Sequence, residues 1–339
     1  MLLAGDIGGT NTVLALYTLE QGPRLPVVRK TYPSRAYASL EAVIEEFLAE
    51  YDEEVTHAAF GVAGPVVKDR AQITNLPWIL EERRLMDRFQ LQAAHLLNDL
   101  EAVATSVPIL QEEDLYVLNE GTADPQGAIG VIAPGTGLGE GFLVWDGKQY
   151  LPFPCEGGHT DFGPVNELQQ ELLAYLQPRV GHVSYERVCS GLGIPNLYAF
   201  LRDSGRYEEP PALAEALASA ADKTPVIVTA AQKEQVDICV ATLDLFIDIL
   251  AHEAGNLALK LLATGGIYLG GGIPPRILPQ LKASNFMEDF TNKGRFAELL
   301  AQIPVQVICK QDVGLLGVAV HGLQLVKEQV ESRQATRIG

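Results

Sequence analysis

Two adjacent polar side chains follow an apolar run, where they could act on a hydroxyl group. We predict a short buried strand over residues 94–97, Asn98 and Asp99 at its end, and a helix over residues 100–106. Open α/β sheets keep ligand sites at the carboxyl ends of their strands. There Asp99 could accept a proton from an attacking hydroxyl while Asn98 holds a second one. Equally, the pair could be the N-cap of the helix, a role that both residue types fill well.

Three glycine-rich segments could bring backbone N–H groups close to phosphate oxygens. They are Gly5-Asp6-Ile7-Gly8-Gly9-Thr10-Asn11, Gly135-Thr136-Gly137-Leu138-Gly139 and Gly270-Gly271-Gly272-Ile273-Pro274-Pro275. The first is neither the P-loop pattern G-x-x-x-x-G-K-[ST] nor the dinucleotide-binding pattern G-x-G-x-x-G. The first two could clamp a polyphosphate, and the third could accept an adenine or a ribose. A plain hairpin turn for the first and a strand-to-helix turn for the third are the alternatives.

A further set of side chains could bind a ligand that is rich in hydroxyls. Glu156, His159 and Glu186 lie in or near glycine-containing segments, which are typical of sites built on loops. Carboxylates and imidazoles can hydrogen-bond to sugar hydroxyls. Alternatively, each residue is a surface or helix-cap residue, and the order Val183-Ser184-Tyr185-Glu186 also fits capping.

Alternating strands and helices must position these candidates. Apolar β-type runs at 2–4 and 12–17 flank the first glycine segment, and strand, glycine turn and strand recur over 128–145, which indicates two homologous cores. Further strands are predicted at 58–67 and 267–269. Helices are predicted at 37–51, 83–89, 166–176, 190–201, 236–262 and 313–326.

Composition excludes some classes of partner. The 339 residues carry 25 Lys and Arg against 43 Asp and Glu, a net charge of −18, without any basic run, so we expect no binding to nucleic acid or to a membrane surface. We expect a cytoplasmic protein, because neither a signal peptide nor an apolar span is recognisable. The four cysteines lack metal-site spacing, so we expect reduced thiols; they are Cys155, Cys189, Cys239 and Cys309.

Together these motifs resemble bacterial ATP-dependent glucokinases of the proteobacterial and cyanobacterial type, within the sugar kinase and actin-like ATPase superfamily. The matching segments follow the family's order over almost the whole chain. They are 5–11, Thr74-Asn75-Leu76-Pro77-Trp78, Leu97-Asn98-Asp99, 135–139, Glu156-Gly157-Gly158-His159, 181–191, 270–274 and Gly314-Leu315-Leu316-Gly317.

The resemblance implies an α/β fold with two ribonuclease-H-like (actin-like ATPase) domains flanking a deep cleft. Residues 1–108 plus 304–330 would form the small domain and 109–303 the large one. The resemblance also implies a homodimer. No cysteine cluster follows Glu156-Gly157-Gly158-His159, which disfavours a structural zinc and the repressor and kinase branch of the superfamily.

The resemblance further implies phosphorylation of glucose to glucose 6-phosphate by ATP, with Asp99 as the general base. The sugar would be held by Asn98, Asp99, Glu156, His159 and Glu186, with Gly137 beside it. ATP would lie against Asp6, Gly8, Gly9, Thr10, Asn11, Gly135, Thr136, Gly271 and Gly272. Asp6 would also help to place Mg²⁺ through water.

Three other functions stay open from the sequence: a kinase for another hexose, a sugar-sensing regulator without activity, and an actin-like filament protein without activity. Asp99 speaks against the regulator, and the set Glu156, His159 and Glu186 would be superfluous in a filament protein. The phosphoryl donor is open as well, because ADP or polyphosphate could replace ATP.

Overall fold

The computed structural model describes residues 1–51, 53–73 and 76–338, with side chains as far as residue 331. Thr74 and Asn75 of the second matching segment lie outside the described residues. The chain divides into two compact units. The first comprises Met1–Leu110, Tyr150–Pro154 and Lys310–Gly339, and the second Gln111–Gln149 and Cys155–Cys309.

Strands and helices alternate, which confirms the predicted α/β class. The strands are β1 (Leu2–Ile7), β2 (Asn11–Tyr17), β3 (Val28–Pro33), β4 (His57–Val62), β5 (Val66–Val67), β6 (Arg70–Gln72), β7 (Ile79–Glu81), β8 (Ala93–Asn98), β9 (Leu115–Asn119), β10 (Ile129–Pro134), β11 (Leu138–Trp145), β12 (Tyr150–Cys155), β13 (Gly266–Leu269) and β14 (Val305–Ile308). The helices are α1 (Leu40–Leu48), α2 (Glu82–Phe89), α3 (Asp99–Ser106), α4 (Glu167–Val180), α5 (Ile194–Asp203), α6 (Pro211–Ser219), α7 (Thr224–Thr229), α8 (Asp237–Leu261), α9 (Leu278–Ala283), α10 (Phe286–Thr291), α11 (Ala297–Ala301) and α12 (Val313–Ile338).

The first unit is built on a sheet with the strand order β3-β2-β1-β4-β8. β1 and β2 form an antiparallel hairpin, and β1, β4 and β8 run parallel. Successive strand residues point to opposite faces of a sheet, so the two faces carry different cores. Leu3 belongs to a core with Phe47 and Leu85, whereas Leu2 belongs to one with Ala102 and Val318.

The second unit repeats this plan. Its strands include the order β11-β10-β13-β14-β9, in which β10 and β11 form an antiparallel hairpin and β10, β13 and β14 run parallel. The largest apolar core surrounds helix α8, whose Phe246 and Leu250 are fully buried. Because β14 pairs with β13 and β9, we place residues 305–308 with the second unit instead of the small domain predicted over 304–330.

Several boundaries differ from the predictions for local reasons. The helix predicted at 37–51 begins only after Ser39, whose Oγ accepts a hydrogen bond from the Ala42 N–H at 3.4 Å. The strand predicted at 58–67 divides into β4 and β5, because Pro65 between them has no N–H to donate. Helix α5 starts after a turn in which the Gly193 N–H donates to the Ser190 hydroxyl at 3.0 Å.

Two expectations about the whole chain can be compared with the structure. Among the described helices, none combines the length and the apolar character that crossing a membrane requires. All four cysteines are free thiols, so the expected absence of disulfides is confirmed.

Two buried hydroxyls, those of Ser34 and Thr12, hold the first glycine turn in place. Ser34 Oγ donates to the Gly8 carbonyl at 2.8 Å and lies 3.0 Å from Thr12 Oγ1, and both side chains are fully buried. Since the Ser34 proton goes to Gly8, Thr12 must donate to Ser34.

We therefore expect Ser34→Ala, which leaves a buried hydroxyl unpaired, to lower the free energy of unfolding by about 1–3 kcal/mol. Thr12→Val should cost less, and the double variant should cost less than the sum of the two. Denaturation of the four proteins in urea measures this cycle. Additive costs would mean that the two hydroxyls do not depend on each other.

Candidate functional site

The parallel strands of the first unit bring Asp6, Asn98 and Asp99 to one edge of their sheet. Ile7 is paired with Val62, and Val62 with Asn98, so β1, β4 and β8 end level with one another. The carboxyl groups of Asp6 and Asp99 are close enough that the charge on Asp99 raises the pKa of Asp6. The predicted site at the carboxyl end of β8 is thus joined by a second carboxylate from β1.

The N-cap interpretation is right for Asn98, whereas Asp99 is the first residue of the helix. Asn98 caps helix α3, because its Oδ1 accepts from the Leu100 N–H at 2.9 Å while its Nδ2 donates to the Gly64 carbonyl at 3.0 Å. Asp99 is the first helical residue, and its Oδ1 also accepts from the Leu100 N–H at 2.9 Å. Its side chain is exposed. The surrounding protein still removes enough solvent to raise the pKa of Asp99, against the opposing effect of these hydrogen bonds.

Asp6 lies in the more unusual electrostatic environment. Burial raises its pKa to about 6, and the negative charges of Asp99 and Asp312 add to this, whereas Arg29 opposes it. The carboxylate lies beside Gly314 in the first turn of α12, and Arg29 Nη1 is 3.6 Å from Asp312 Oδ2. A bound cation would relieve the repulsion among these carboxylates. The surroundings of Asp6 therefore fit a site near Mg²⁺.

The first glycine segment forms a hairpin turn with exposed polar side chains. The Gly8 N–H donates to the Asn11 carbonyl at 3.0 Å, and the Ser34 N–H donates to the Thr10 carbonyl at 2.9 Å. The side chains of Thr10 and Asn11 are exposed at the turn, and Gly9 is partly exposed. The hairpin interpretation is thus right for the backbone, and it leaves a hydroxyl and an amide available to a ligand.

The other two glycine segments meet at the carboxyl end of β10 in the second unit. The Gly135 N–H donates to the Gly137 carbonyl at 2.9 Å, and Thr136 is exposed. From the third segment, the Gly270 N–H donates to the Ile132 carbonyl at 2.8 Å and the Ile273 N–H to the Pro134 carbonyl at 3.2 Å. The structure therefore brings Gly271 and Gly272 to the same end of β10 as Gly135.

Glu186 packs directly against the second glycine segment. Its Oε2 accepts from the Leu138 N–H at 3.1 Å, and the same oxygen lies so close to Gly137 that a Cβ there would overlap it. Ser184 makes no side-chain cap bond to the short helical turn Tyr185–Arg187. The helix-cap alternative for this segment is therefore wrong, and Gly137 is needed for the close approach of Glu186.

Glu156 and His159 lie on an exposed turn of the second unit. The His159 N–H donates to the Glu156 carbonyl at 3.0 Å, and His159 Nε2 is 3.8 Å from Glu156 Oε2. Both side chains are more than half exposed, so solvent screens their interaction. Both groups are therefore accessible from solvent.

The sequence reasoning missed a buried carboxyl beneath this turn. Glu140 on β11 is 1% exposed, and burial together with the charge of Glu253 raises its pKa to about 8. Its only signal in the sequence is a glutamate between Gly139, the last residue of the predicted glycine turn, and Gly141, where the predicted strand resumes. That signal could equally indicate an outward-facing residue of the strand.

One group of side chains among the described residues has the spacing of metal ligands. The ligand atoms of Asp248, His252 and Asp289 lie within 4.8 Å of one another. His252 Nε2 is 2.9 Å from Asp248 Oδ1 one turn away on α8, and 3.9 Å from Asp289 Oδ1. A hydrogen-bonding contact between side chains at i and i+4 of one helix therefore accounts for most of this grouping.

The comparisons with known proteins agree with one another. The family model described as glucokinase matches residues 3–325. A glucokinase of Nostoc punctiforme is 41% identical, over 96% of this chain and 99% of the relative. A glucokinase of Yersinia enterocolitica is 38% identical, over 94% of this chain and 95% of the relative. The crystal structure of a glucokinase from an Antarctic psychrotroph superimposes with a TM-score of 0.82 at 31% identity, covering 94% of this chain and 97% of that one.

The environment of Asp6 predicts how stability depends on pH. A carboxyl whose pKa is about 6 in the folded protein and near 4 in the unfolded chain costs stability as the pH rises through this range. Asp6→Asn removes this cost. Its melting temperature relative to wild type should increase between pH 5.0 and 7.5 by roughly 1–2 °C, which corresponds to about 1 kcal/mol for a chain of this length.

Scanning calorimetry at the two pH values measures the difference. Asp87→Asn, an exchange at an exposed aspartate of α2, is the matched control and should show no such change. A pH-independent difference for Asp6→Asn would mean that Asp6 titrates alike in the folded and unfolded protein.

Proposed function

This chain belongs to the glucokinase family and is an ATP-dependent glucose kinase, and we propose that Asp99 is the general base of its reaction. The 6-hydroxyl oxygen of glucose attacks the γ-phosphorus of ATP as the bond to the β–γ bridging oxygen breaks. Asp99 takes the hydroxyl proton, and ADP and glucose 6-phosphate result. The observation that supports this role most directly is the exposed Asp99 carboxyl at the end of β8, with its raised pKa.

Asn98 contributes a helix cap beside Asp99 and a hydrogen-bond donor for the sugar. It caps helix α3, which spares Asp99 from being the sole acceptor for the Leu100 N–H. Its Nδ2 carries two hydrogens, of which one is donated to the Gly64 carbonyl. The second hydrogen is available to a sugar hydroxyl, so we assign Asn98 to sugar binding.

In the second unit we assign Glu156, His159 and Glu186 to the other sugar hydroxyls. The Leu138 N–H binds Oε2 of Glu186, which fixes the carboxylate and leaves Oε1 to accept from the sugar. Gly137 lies beside this carboxylate, so we place it next to the sugar. A sugar with the wrong configuration would leave such fixed acceptors without a donor, which is a strong basis for specificity.

For ATP we propose the two glycine hairpins and the third glycine segment. Their partly exposed glycines and the exposed hydroxyls of Thr10 and Thr136 suit phosphate oxygens, and Gly271 and Gly272 suit the adenosine. The ATP contacts proposed are Asp6, Gly8, Gly9, Thr10, Asn11, Gly135, Thr136, Gly271 and Gly272. Mg²⁺, when bound, neutralises phosphate charge during transfer. Asp6 would hold it through water.

We propose that each unit is a ribonuclease-H-like domain, which the repeated plan of a hairpin followed by parallel strands supports. Residues 1–108 would then form most of the small domain, and 109–303 most of the large one. The cleft, the homodimer and the cytoplasmic location stay predictions.

Activity toward a panel of hexoses tests the proposed function. With MgATP, glucose should have the highest kcat/KM, and fructose and mannose should be much poorer substrates. A higher kcat/KM for another hexose would make this protein a kinase of that sugar. Transfer to no hexose would favour the sugar-sensing regulator, and replacing ATP by ADP or polyphosphate tests the donor.

Asp99→Asn separates the base from a structural residue. Asparagine keeps the shape of aspartate and can accept from the Leu100 N–H, but it cannot take a proton at neutral pH. We expect kcat to fall by roughly 10²–10⁴-fold with little change in glucose affinity. The melting temperature should barely change, because Asn98 still caps α3. A variant with more than about a tenth of wild-type kcat would exclude Asp99 as the base.

A further inference from the structure

The buried carboxyl of Glu140 has no role in the mechanism so far. It is 1% exposed, and its Oε1 has no hydrogen-bond partner among the described residues. Burying a polar atom without a partner costs stability. A hydrophobic side chain would fill this position of β11 without that cost. Stability therefore does not explain a glutamate here, and a function does.

Glu140 lies directly beneath the turn that carries Glu156 and His159. Its Oε2 contacts Gly157 so closely that a Cβ at Gly157 would overlap the carboxyl group. The chain leading into the turn is attached to the same residue, because Cys155 Sγ donates to the Glu140 carbonyl at 3.3 Å. The height of the turn above β11 is therefore set by the Glu140 side chain.

A second buried carboxylate, Glu253 on α8, determines which of the two glutamates is charged. Glu253 is fully buried and has cationic and neutral donors: Lys260 Nζ lies 3.0 Å from its Oε1, and Asn256 Nδ2 lies 2.8 Å from its Oε2. Tyr185 is hydrogen-bonded to Glu253 as well. Glu140 Oε1 has no such donor. The negative charge thus belongs on Glu253, and the proton on Glu140.

We propose that Glu140 is a positioning residue for glucose binding: its neutral carboxyl supports the turn that carries Glu156 and His159, and its ionisation displaces that turn. The proposal rests on the proposed function, in which these two residues hold the sugar. Glu140 itself does not touch the substrate in this scheme.

Ionisation would disturb the turn for two reasons. A charged Glu140 is repelled by Glu253, and it requires water on an oxygen that has no protein donor. Because Gly157 packs against the carboxyl group, hydration of Glu140 must move either the side chain or the turn. Glucose should therefore bind preferentially to the protein in which Glu140 is protonated.

The other ionisable groups around Glu140 do not produce the same dependence. The groups that interact electrostatically with Glu140 are Glu253, Lys260, Cys155 and Cys189. Tyr185 and Lys293 face Glu253. Burial raises the pKa of Cys155, Cys189 and Tyr185 above their ordinary values, so these three stay largely neutral while Glu140 titrates. Lys260 and Glu253 form the ion pair already described.

Glu140→Gln tests the proposal, because glutamine has the size of glutamate and is neutral at every pH. If glucose binds only the protonated form, the wild-type KM for glucose should rise up to about tenfold, relative to that of the variant, between pH 7 and 9. The wild-type to variant ratios of kcat and of the KM for ATP should stay constant. Taking ratios cancels every pH dependence that wild type and variant share.

Glu215→Gln is the matched control, since Glu215 is exposed on α6, and its kinetics should follow wild type at every pH. A KM ratio for Glu140→Gln that changes by less than about twofold would overturn the proposal while the enzyme remains active. Absence of glucose phosphorylation by wild type at pH 7 would instead overturn the proposed function.

A measurement on the wild type alone covers the case in which Glu140→Gln does not fold. If glucose binds preferentially to the protein with a protonated Glu140, binding must take up protons near pH 8–9. Calorimetric titration with glucose in two buffers of different ionisation enthalpy measures this uptake. Binding at pH 8.5 without proton uptake would also overturn the proposal.

Discussion

The parallel pairing of β1 with β4 and of β4 with β8 is the constraint on which the chemistry of the first unit depends. It ends the three strands level with one another, so Asp6 and Asp99 must share one edge of the sheet. Burial at this edge raises the pKa of Asp6, and the negative charge of Asp99 raises it further. A cation bound at this edge would relieve the repulsion between these carboxylates.

The second unit has the same arrangement of strands, but its carboxylates are placed differently. There the glycine hairpin receives its carboxylate from outside the sheet, as Glu186 accepts from the Leu138 N–H. The carboxyl group on the sheet itself, Glu140, is buried and neutral, and it supports a turn instead of binding a ligand. Repetition of the backbone plan therefore does not imply repetition of the chemistry, since the side chains around each hairpin decide the charge.

Local patterns in the sequence were sufficient to predict the elements that have a distinctive periodicity or distinctive turn residues. The hairpin of β1 and β2, helix α8 and strand β8 follow from periodicity and turn residues. By contrast, β3 has a single buried residue, Tyr32, and exposes Arg29, Thr31 and Pro33. Strand β14 is a short Val-Gln-Val-Ile run whose partner β13 is distant in the chain. Such strands are fixed by pairing, which a local pattern does not contain.

The candidate site shows the same limit at the level of single side chains. The base role of Asp99 could be proposed from the sequence, because its residue type and its place after a strand suffice for the argument. The function proposed for Glu140 could not, because it depends on Gly157 above it and on Glu253 from α8, neither of which is near in sequence. A glutamate in a strand becomes informative only when the structure shows its surroundings. Here they show that the carboxyl group is buried with one oxygen lacking a hydrogen-bond donor, and that it lies beneath the turn that carries Glu156 and His159. Three-dimensional context is thus what distinguishes a solvated charge from a proton held in the core.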